Sequence, residues 1–327
     1  MTYRTDCVKV TLNDRKGFAV NMNRIFEGNA RSVLRWLLCL GGVFLVFNLV
    51  CAAQAAHAGT GKHFLWSIQT EKNTVYLLGS VHFLRQDAYP LAEAIENAYS
   101  DSQTVVFEAD IDRGNSPELQ AKMMSLGFYP EGQTLPQNVS EQTYKMLGKK
   151  VSAIGLPVSQ FDHFRPWFAA LMLTVMELQK MQFDPSYGVD AYFFRKAKED
   201  GKQRIFLEPV EFQINLFAEM DPREQESFLR QTMEDLAVIE STVSDMVKSW
   251  QTGDVGTLGS ILNMSFNEHS DMYDRLMVQR NKKWVSRIED LLNRDGNVLV
   301  IVGAGHLVGD ENLLQLLRKR GYKTEQR

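Results

Sequence analysis

Four residues that can hold a cation or move a proton stand just past apolar, β-rich runs: His82, Glu108, Glu208 and His306. Val75-Tyr76-Leu77-Leu78 leads into Gly79-Ser80-Val81-His82, and Val298-Leu299-Val300-Ile301-Val302 into Gly303-Ala304-Gly305-His306. Thr104-Val105-Val106-Phe107 stops at Glu108, and Arg204-Ile205-Phe206-Leu207 at Glu208. In open, largely parallel sheets, ligands bind beyond the carboxyl ends of the strands. If the four strands are neighbours, two imidazoles and two carboxylates share one cleft. That set can bind a divalent metal and leave a carboxylate over as general base. Neutral imidazole suits Zn, Mn or Co, and carboxylate favours harder ions. Taken singly, each residue has a plainer reading. A His after a strand is usually a hydrogen-bonded structural group, Glu108 could end a strand in water, and Glu208 could cap the helix after Pro209. The coincidence of all four favours a shared site.

A second pattern points to the same place. Met272, Leu276, Trp284 and Ile288 recur every four residues as one apolar stripe, and Arg280 falls on it, with Asn281 beside it. A cation on a buried face needs a partner. Glu108, Glu208 or a substrate carboxylate would serve; the plain alternative is a side chain that reaches solvent. His63, His163 and His269 receive no role.

The elements that must position these groups follow from turn and cap chemistry. Strand-like runs at 63–69 and 74–79 flank Thr70-Glu71-Lys72-Asn73 and read as a hairpin. Helices are expected over 90–99, 165–181, 189–200 and 310–320. Asp221-Pro222-Arg223-Glu224 reads as N-cap, proline at the first helical position and glutamate at the third. The order is hairpin, helix, strand, helical block, strand, helical block, strand, helix. The expected fold class is therefore α/β: a mixed, largely parallel central sheet with a mainly helical insertion.

The first 58 residues read as a signal region. Arg24, Arg31 and Arg35 precede an apolar run from Trp36 to Val50, and Ala56-His57-Ala58 has the form of a signal-peptidase site. Met22 is a plausible start. The run is short for a spanning helix, which needs roughly 20 residues; the alternative is an inner-membrane anchor over 36–53. Cys51 is a poor lipidation site because bulky Val50 precedes it. All 3 cysteines, Cys7, Cys39 and Cys51, lie in this segment. A mature chain from Gly59 would hold no disulfide, thiolate nucleophile or cysteine-bound metal. Residues 59–327 then form one α/β domain, periplasmic or secreted. Net charge is −4, and no basic cluster interleaved with aromatics follows the signal, so nucleic acid is not an expected partner. Membrane contact is expected only through an uncleaved signal.

Gly79-Ser80-Val81-His82, Gly188-Val189-Asp190, Leu207-Glu208, Gln213, Arg280-Asn281 and Gly303-Ala304-Gly305-His306-Leu307 together resemble the TraB/GumN family, which is similar to the Tiki metalloproteases. The resemblance spans about residues 63–322. It implies a core like that of Tiki, ChaN and erythromycin-esterase-like proteins. It also implies a divalent-metal site containing both histidines and strand-end glutamates. Pro209 stands where many members carry threonine.

The leading expectation is an exported, divalent-metal-dependent hydrolase acting on a peptide or other small polar substrate. His82, Glu208 and His306 would bind the metal. Glu108 would be a ligand or the general base. Arg280 and Asn281 would orient substrate or stabilise an oxyanion. The rivals are a non-catalytic periplasmic protein binding haem, metal or another ligand, and an accessory to polysaccharide export. Exposure of the apolar helix at 165–181 would mark the last.

Overall fold

The computed structural model describes residues 61–266 and 270–327. The signal region and His269 lie outside the described residues. Among the described residues, no helix is long and apolar enough to cross a membrane.

Six strands form one sheet: β1 (Leu65–Gln69), β2 (Thr74–Ser80), β3 (Thr104–Phe107), β4 (Gln203–Phe206), β5 (Val298–Gly303) and β6 (Glu325–Gln326). Their spatial order is β4-β3-β5-β2-β1-β6. The first four in that order pair in parallel. The β1–β2 hairpin and the short β6 add antiparallel pairs at the other edge. The sheet is mixed and largely parallel, as the pattern of elements implies.

Helices account for most of the rest. The longer ones are α1 (Glu93–Asp101), α2 (Pro117–Gly127), α3 (Glu141–Ala153), α4 (Pro166–Lys180), α5 (Val189–Glu199) and α6 (Val210–Ala218), then α7 (Pro222–Asp235), α8 (Ile239–Thr252), α9 (Val255–Phe266), α10 (Gln279–Leu292) and α11 (Leu313–Lys319). Most of them lie in two blocks, between β3 and β4 and between β4 and β5. The start of α7 closes as read: Asp221 accepts from the amides of Arg223 and Glu224, and Glu224 accepts from the amide of Asp221.

The central strands read as unbroken apolar runs because helices cover both faces. Leu77, Leu78, Val105, Val106, Val300 and Ile301 are all buried. β4 departs from the expected buried strand. Its residues are exposed to half-buried, since β4 is the sheet edge and, among the described residues, no strand lies beyond it. The apolar helix α4 lies in the core, where Trp167, Phe168, Leu171 and Leu173 are buried and α7 packs along it. The exposed helix expected of an export accessory is therefore not found.

The strand order does the decisive work for the site. The residues past the parallel strand ends fall in the spatial sequence Glu208, Glu108, His306, His82. The β2–β5 register sets Ser80 level with Gly303, so both Gly-x-x-His turns leave the sheet at the same height.

Candidate functional site

Arg280 is the centre of the cluster. It is fully buried, and it reaches the strand ends from the first turn of α10. A π-helical turn over Asp274–Val278 runs directly into α10. A four-residue apolar repeat outruns the 3.6 residues of an α-turn, and the wider turn at its start keeps Leu276 on the buried face that Arg280, Trp284 and Ile288 share in α10. The guanidinium then spends its donors on the site. Nη2 donates to Glu108 at 2.6 Å and to Glu208 at 2.7 Å. Nε donates to Glu208 at 3.1 Å, and Nη1 to the Leu276 carbonyl at 3.0 Å. The Trp284 ring lies 4.6 Å from the guanidinium carbon.

Glu108 and Glu208 share these donors but differ in surroundings. Glu208 also accepts from Gln213 at 2.9 Å and from the Trp284 indole at 3.2 Å. It sits immediately before Pro209, at the N-terminal end of α6, where a helix favours negative charge. Glu108 accepts from the Gly303 amide at 2.6 Å through Oε1 and from Gln213 at 3.2 Å through Oε2. Burial alone would raise the Glu108 carboxyl. Arg280, aided by the nearby histidines and the Gly303 amide, outweighs it and lowers the carboxyl to about 2.

The two histidines are held in the same way by different partners. His306 lies in the single turn Ala304–Leu307, and its Nδ1 is 2.7 Å from Asn281 Oδ1. The Asn281 amide nitrogen donates to the Glu311 carbonyl, which fixes that Oδ1 as the acceptor. Nδ1 therefore carries the proton, and the Nε2 lone pair faces Arg280 Nη1 at 3.1 Å. Burial, then the Arg280 charge, pushes the His306 imidazole down to about 3, so it is neutral. His82 has Asp190 instead, with Nδ1 at 3.1 Å from Oδ2 but without hydrogen-bond alignment. Burial pulls the His82 imidazole down; Asp190 and then Glu108 outweigh it, and its pKa is raised.

Gly303 marks where the groups meet. A Cβ there would lie 3.3 Å from Glu108 Oε1, 3.4 Å from His82 Nε2 and 3.7 Å from His306 Cδ2. His82 Nε2 is buried and has no hydrogen-bond partner among the described residues, and the same is true of Ser80 Oγ. Both residues line a cavity of about 30 Å³ with Glu108, Asp190 and Gln213. That is room for about one water or one ion.

All six expected site residues are thus brought together, but not in equivalent positions. Glu208 faces Arg280, Gln213 and Trp284, away from the orphaned His82 nitrogen. Asn281 is spent on His306 and the Glu311 carbonyl. Sequence reasoning assigned no role to Gln213, Trp284, Asp190 or Ser80. The signals available were local: Gln213 lies one turn into the helix after Glu208, and Asp190 one residue into the helix after Gly188. Among the described residues, no three His, Cys, Asp or Glu stand as a ready group for a metal ion, and Arg280 already contacts His306 Nε2 and both carboxylates. The donor types nevertheless suit a divalent ion, and the unpartnered His82 Nε2 beside an ionised carboxylate is the kind of orphan such an ion would satisfy.

The fold is α/β, with ionisable groups converging at the carboxyl edge of a largely parallel sheet, where open α/β sheets place their ligand sites. The chain belongs to the TraB/PrgY/gumN family, whose model matches residues 64–326. It is 26% identical over 262 residues to the uncharacterized protein YbaP of Escherichia coli, covering 79% of this chain and 94% of that protein. It is 24% identical over 362 residues to the metalloprotease TIKI2 of Danio rerio, covering 91% of this chain and 68% of that protein. The human metalloprotease TIKI1 is 21% identical over 313 residues, covering 80% of this chain and 61% of that protein. No solved structure matches.

Proposed function

We propose that this chain is an exported, divalent-metal-dependent hydrolase of the peptidase class. The observation that carries the reading is the buried, unpartnered Nε2 of His82, aimed at the same point as Glu108 Oε1. The metalloproteases among its relatives support the same class.

In this reading His82 and His306 hold the metal through their Nε2 atoms and Glu108 through a carboxylate oxygen. A bound divalent ion, Mn, Co or Zn, supplies a Lewis acid that polarises a substrate carbonyl. Glu108, with its carboxyl lowered to about 2, is a poor proton acceptor near neutral pH and a good anionic ligand. Glu208 serves Arg280: it fixes the guanidinium, which in turn keeps Glu108 ionised. Asn281 keeps the proton of His306 on Nδ1 and leaves the lone pair on Nε2, from which Arg280 Nη1, now 3.1 Å away, would have to turn aside for an ion to bind.

The test is hydrolysis of a mixed peptide library by the metal-free protein and after addition of Mn, Co or Zn. Metal content and visible spectrum are recorded on the same samples. Metal-dependent cleavage, lost in His82→Ala and His306→Ala, supports the reading. Tight metal or haem binding with no hydrolysis of any peptide would replace it with the binding-protein reading.

A further inference from the structure

We infer that Asp190 is the positioning residue for His82, holding the proton on Nδ1 and directing the bare Nε2 into the cavity shared with Glu108. The inference rests on the reading of His82 as a ligand, but its structural half stands without it.

The local sequence builds the contact. Gly188 precedes α5, and a Cβ there would fall 2.5 Å from the His82 carbonyl oxygen. Only glycine lets the start of α5 lie directly against the first Gly-x-x-His turn. The Val189 amide then donates to the Val81 carbonyl at 3.0 Å and clips the helix to the turn. Asp190 follows in the first turn of α5, where the helix end favours a carboxylate. Its Oδ2 comes within 3.1 Å of His82 Nδ1, and both residues are buried.

The arrangement parallels Asn281 on His306. In each case an oxygen stands next to Nδ1, at 2.7 Å in a hydrogen bond for His306 and at 3.1 Å without hydrogen-bond alignment for His82, so in each case Nε2 is the atom left to face the cluster. A metal-binding histidine commonly gives its other nitrogen to such an acceptor, and loss of that acceptor weakens metal binding about 10–100-fold. The two acceptors differ in charge. His82 has a carboxylate behind it and His306 a neutral amide beside the Arg280 cation, which makes His82 the stronger electron donor of the pair.

Asp190→Ala and Asp190→Asn, made in the full chain, separate this from a structural role. The first readout is Mn²⁺ affinity, by titration of the metal-free protein. Asp190→Ala is expected to bind about 10–100-fold more weakly. Asp190→Asn, which keeps an oxygen acceptor, should recover most of that loss, with melting temperatures close to wild type. The second readout needs no metal: histidine ¹⁵N spectra of the metal-free protein, in the range where imidazole is neutral. Wild type should show His82 protonated at Nδ1 alone, Asp190→Ala a mixture of tautomers, and His306 no change in either. Wild-type affinity in Asp190→Ala, equal losses in both variants, or an unchanged His82 tautomer would each overturn the inference. Should Asp190→Ala fail to fold, a His82 tautomer mixture in Asp190→Asn overturns it and a fixed Nδ1 proton supports it. Should wild type bind no Mn²⁺, the metal-site reading fails, and the tautomer alone decides the role of Asp190.

Discussion

Arg280 and Glu108 form a 2.6 Å ion pair in which the arginine is wholly buried and the glutamate nearly so. A second carboxylate, Glu208, is joined to the same Nη2 at 2.7 Å. Two buried anions therefore depend on one cation that α10 supplies from elsewhere in the chain. Removing the cation leaves both anions without compensation, which is costlier than never having built the cluster. Arg280→Met is expected to destabilise the metal-free protein by about 3–5 kcal/mol. Arg280→Lys should do little better, because one ammonium cannot span Glu108, Glu208 and His306 as the planar guanidinium does. Urea denaturation measures both. A loss below about 1 kcal/mol for Arg280→Met would show that the cluster does not act as a unit.

The two glutamates should separate in a metal-binding experiment. Glu108→Gln removes the anionic ligand beside His82 Nε2 and is expected to lose the metal. Glu208→Gln weakens the anchor of Arg280 but leaves the three proposed ligands in place, so most metal should remain. The bound metal per chain, after dialysis, reads this out. Retention in Glu108→Gln with loss in Glu208→Gln restores the ligand set expected from sequence.

The two glutamates show how far the sequence could be read. β3 is expected at Thr104–Phe107 and found there, and the hairpin, α4, α5 and the capped start of α7 lie within a few residues of their expected places. Each rests on short-range signals: apolar periodicity, turn residues, caps. The convergence of His82, Glu108, Glu208 and His306 was also legible, because strand-end position is a local property and a parallel sheet gathers such ends. The division of labour was not. Glu108 and Glu208 have the same local context, a carboxylate just beyond an apolar run. Gln213 donates to both; what separates them is the Trp284 indole on Glu208 and the Gly303 amide on Glu108, which are contacts between distant parts of the chain. Asp190 was invisible as a partner for the same reason. Its sequence distance from His82 is bridged only by the fit of α5 against the turn.

The cluster also sets an acid limit on stability. His306 is lowered to about 3, so as pH falls below about 6.5 the unfolded chain takes up a proton that the folded chain refuses. Stability is therefore lost progressively from about pH 6.5 toward pH 3. Glu108, lowered to about 2, contributes stability that is present above the ordinary carboxyl range and is lost as pH falls toward 2. His82 runs the other way: its pKa is raised, so its contribution is complete below about 6.5 and is lost as pH rises through its folded value. Between about pH 6 and 4.5 His306 contributes about one proton to the slope, opposed by Asp235, whose carboxyl burial raises to about 9. Metal-free His306→Gln should lose up to one proton of that slope, about 1.4 kcal/mol per pH unit. Urea denaturation at pH 6, 5.3 and 4.5 checks it, and an unchanged slope would contradict the burial and Arg280 effect on His306.

Export is directly testable. A mature chain beginning near Gly59 is expected, because Ala56-His57-Ala58 follows the apolar run. N-terminal sequencing of the protein from a periplasmic fraction reads the cleavage point. A protein still carrying Trp36–Val50 would establish the anchored form instead.

Gly303 provides the sharpest separation between folding and function. Its backbone, φ −52 and ψ 137, is open to any L-residue, so alanine there carries no conformational penalty of the kind a left-handed glycine would impose. The added methyl would nevertheless stand 3.3 Å from Glu108 Oε1 and 3.4 Å from His82 Nε2, the two atoms proposed to face the metal. The first contact is tighter than ordinary van der Waals packing and the second is at its limit, and both press on the place where the cluster has room. Gly303→Ala is therefore expected to fold, with a melting temperature within a few degrees of wild type, since a modest overpacking costs about 1–3 kcal/mol. The same protein should bind Mn²⁺ at least about 10-fold more weakly, in line with the cost of displacing a ligand's support. Calorimetry and metal titration on one preparation give both numbers. A variant that melts normally and binds Mn²⁺ as wild type would mean the metal does not sit between His82 and Glu108. A variant that fails to fold would mean the strand end of β5 has no slack at all, and His82→Gln, which removes the nitrogen while keeping the turn, would then have to lose the metal for the placement to stand.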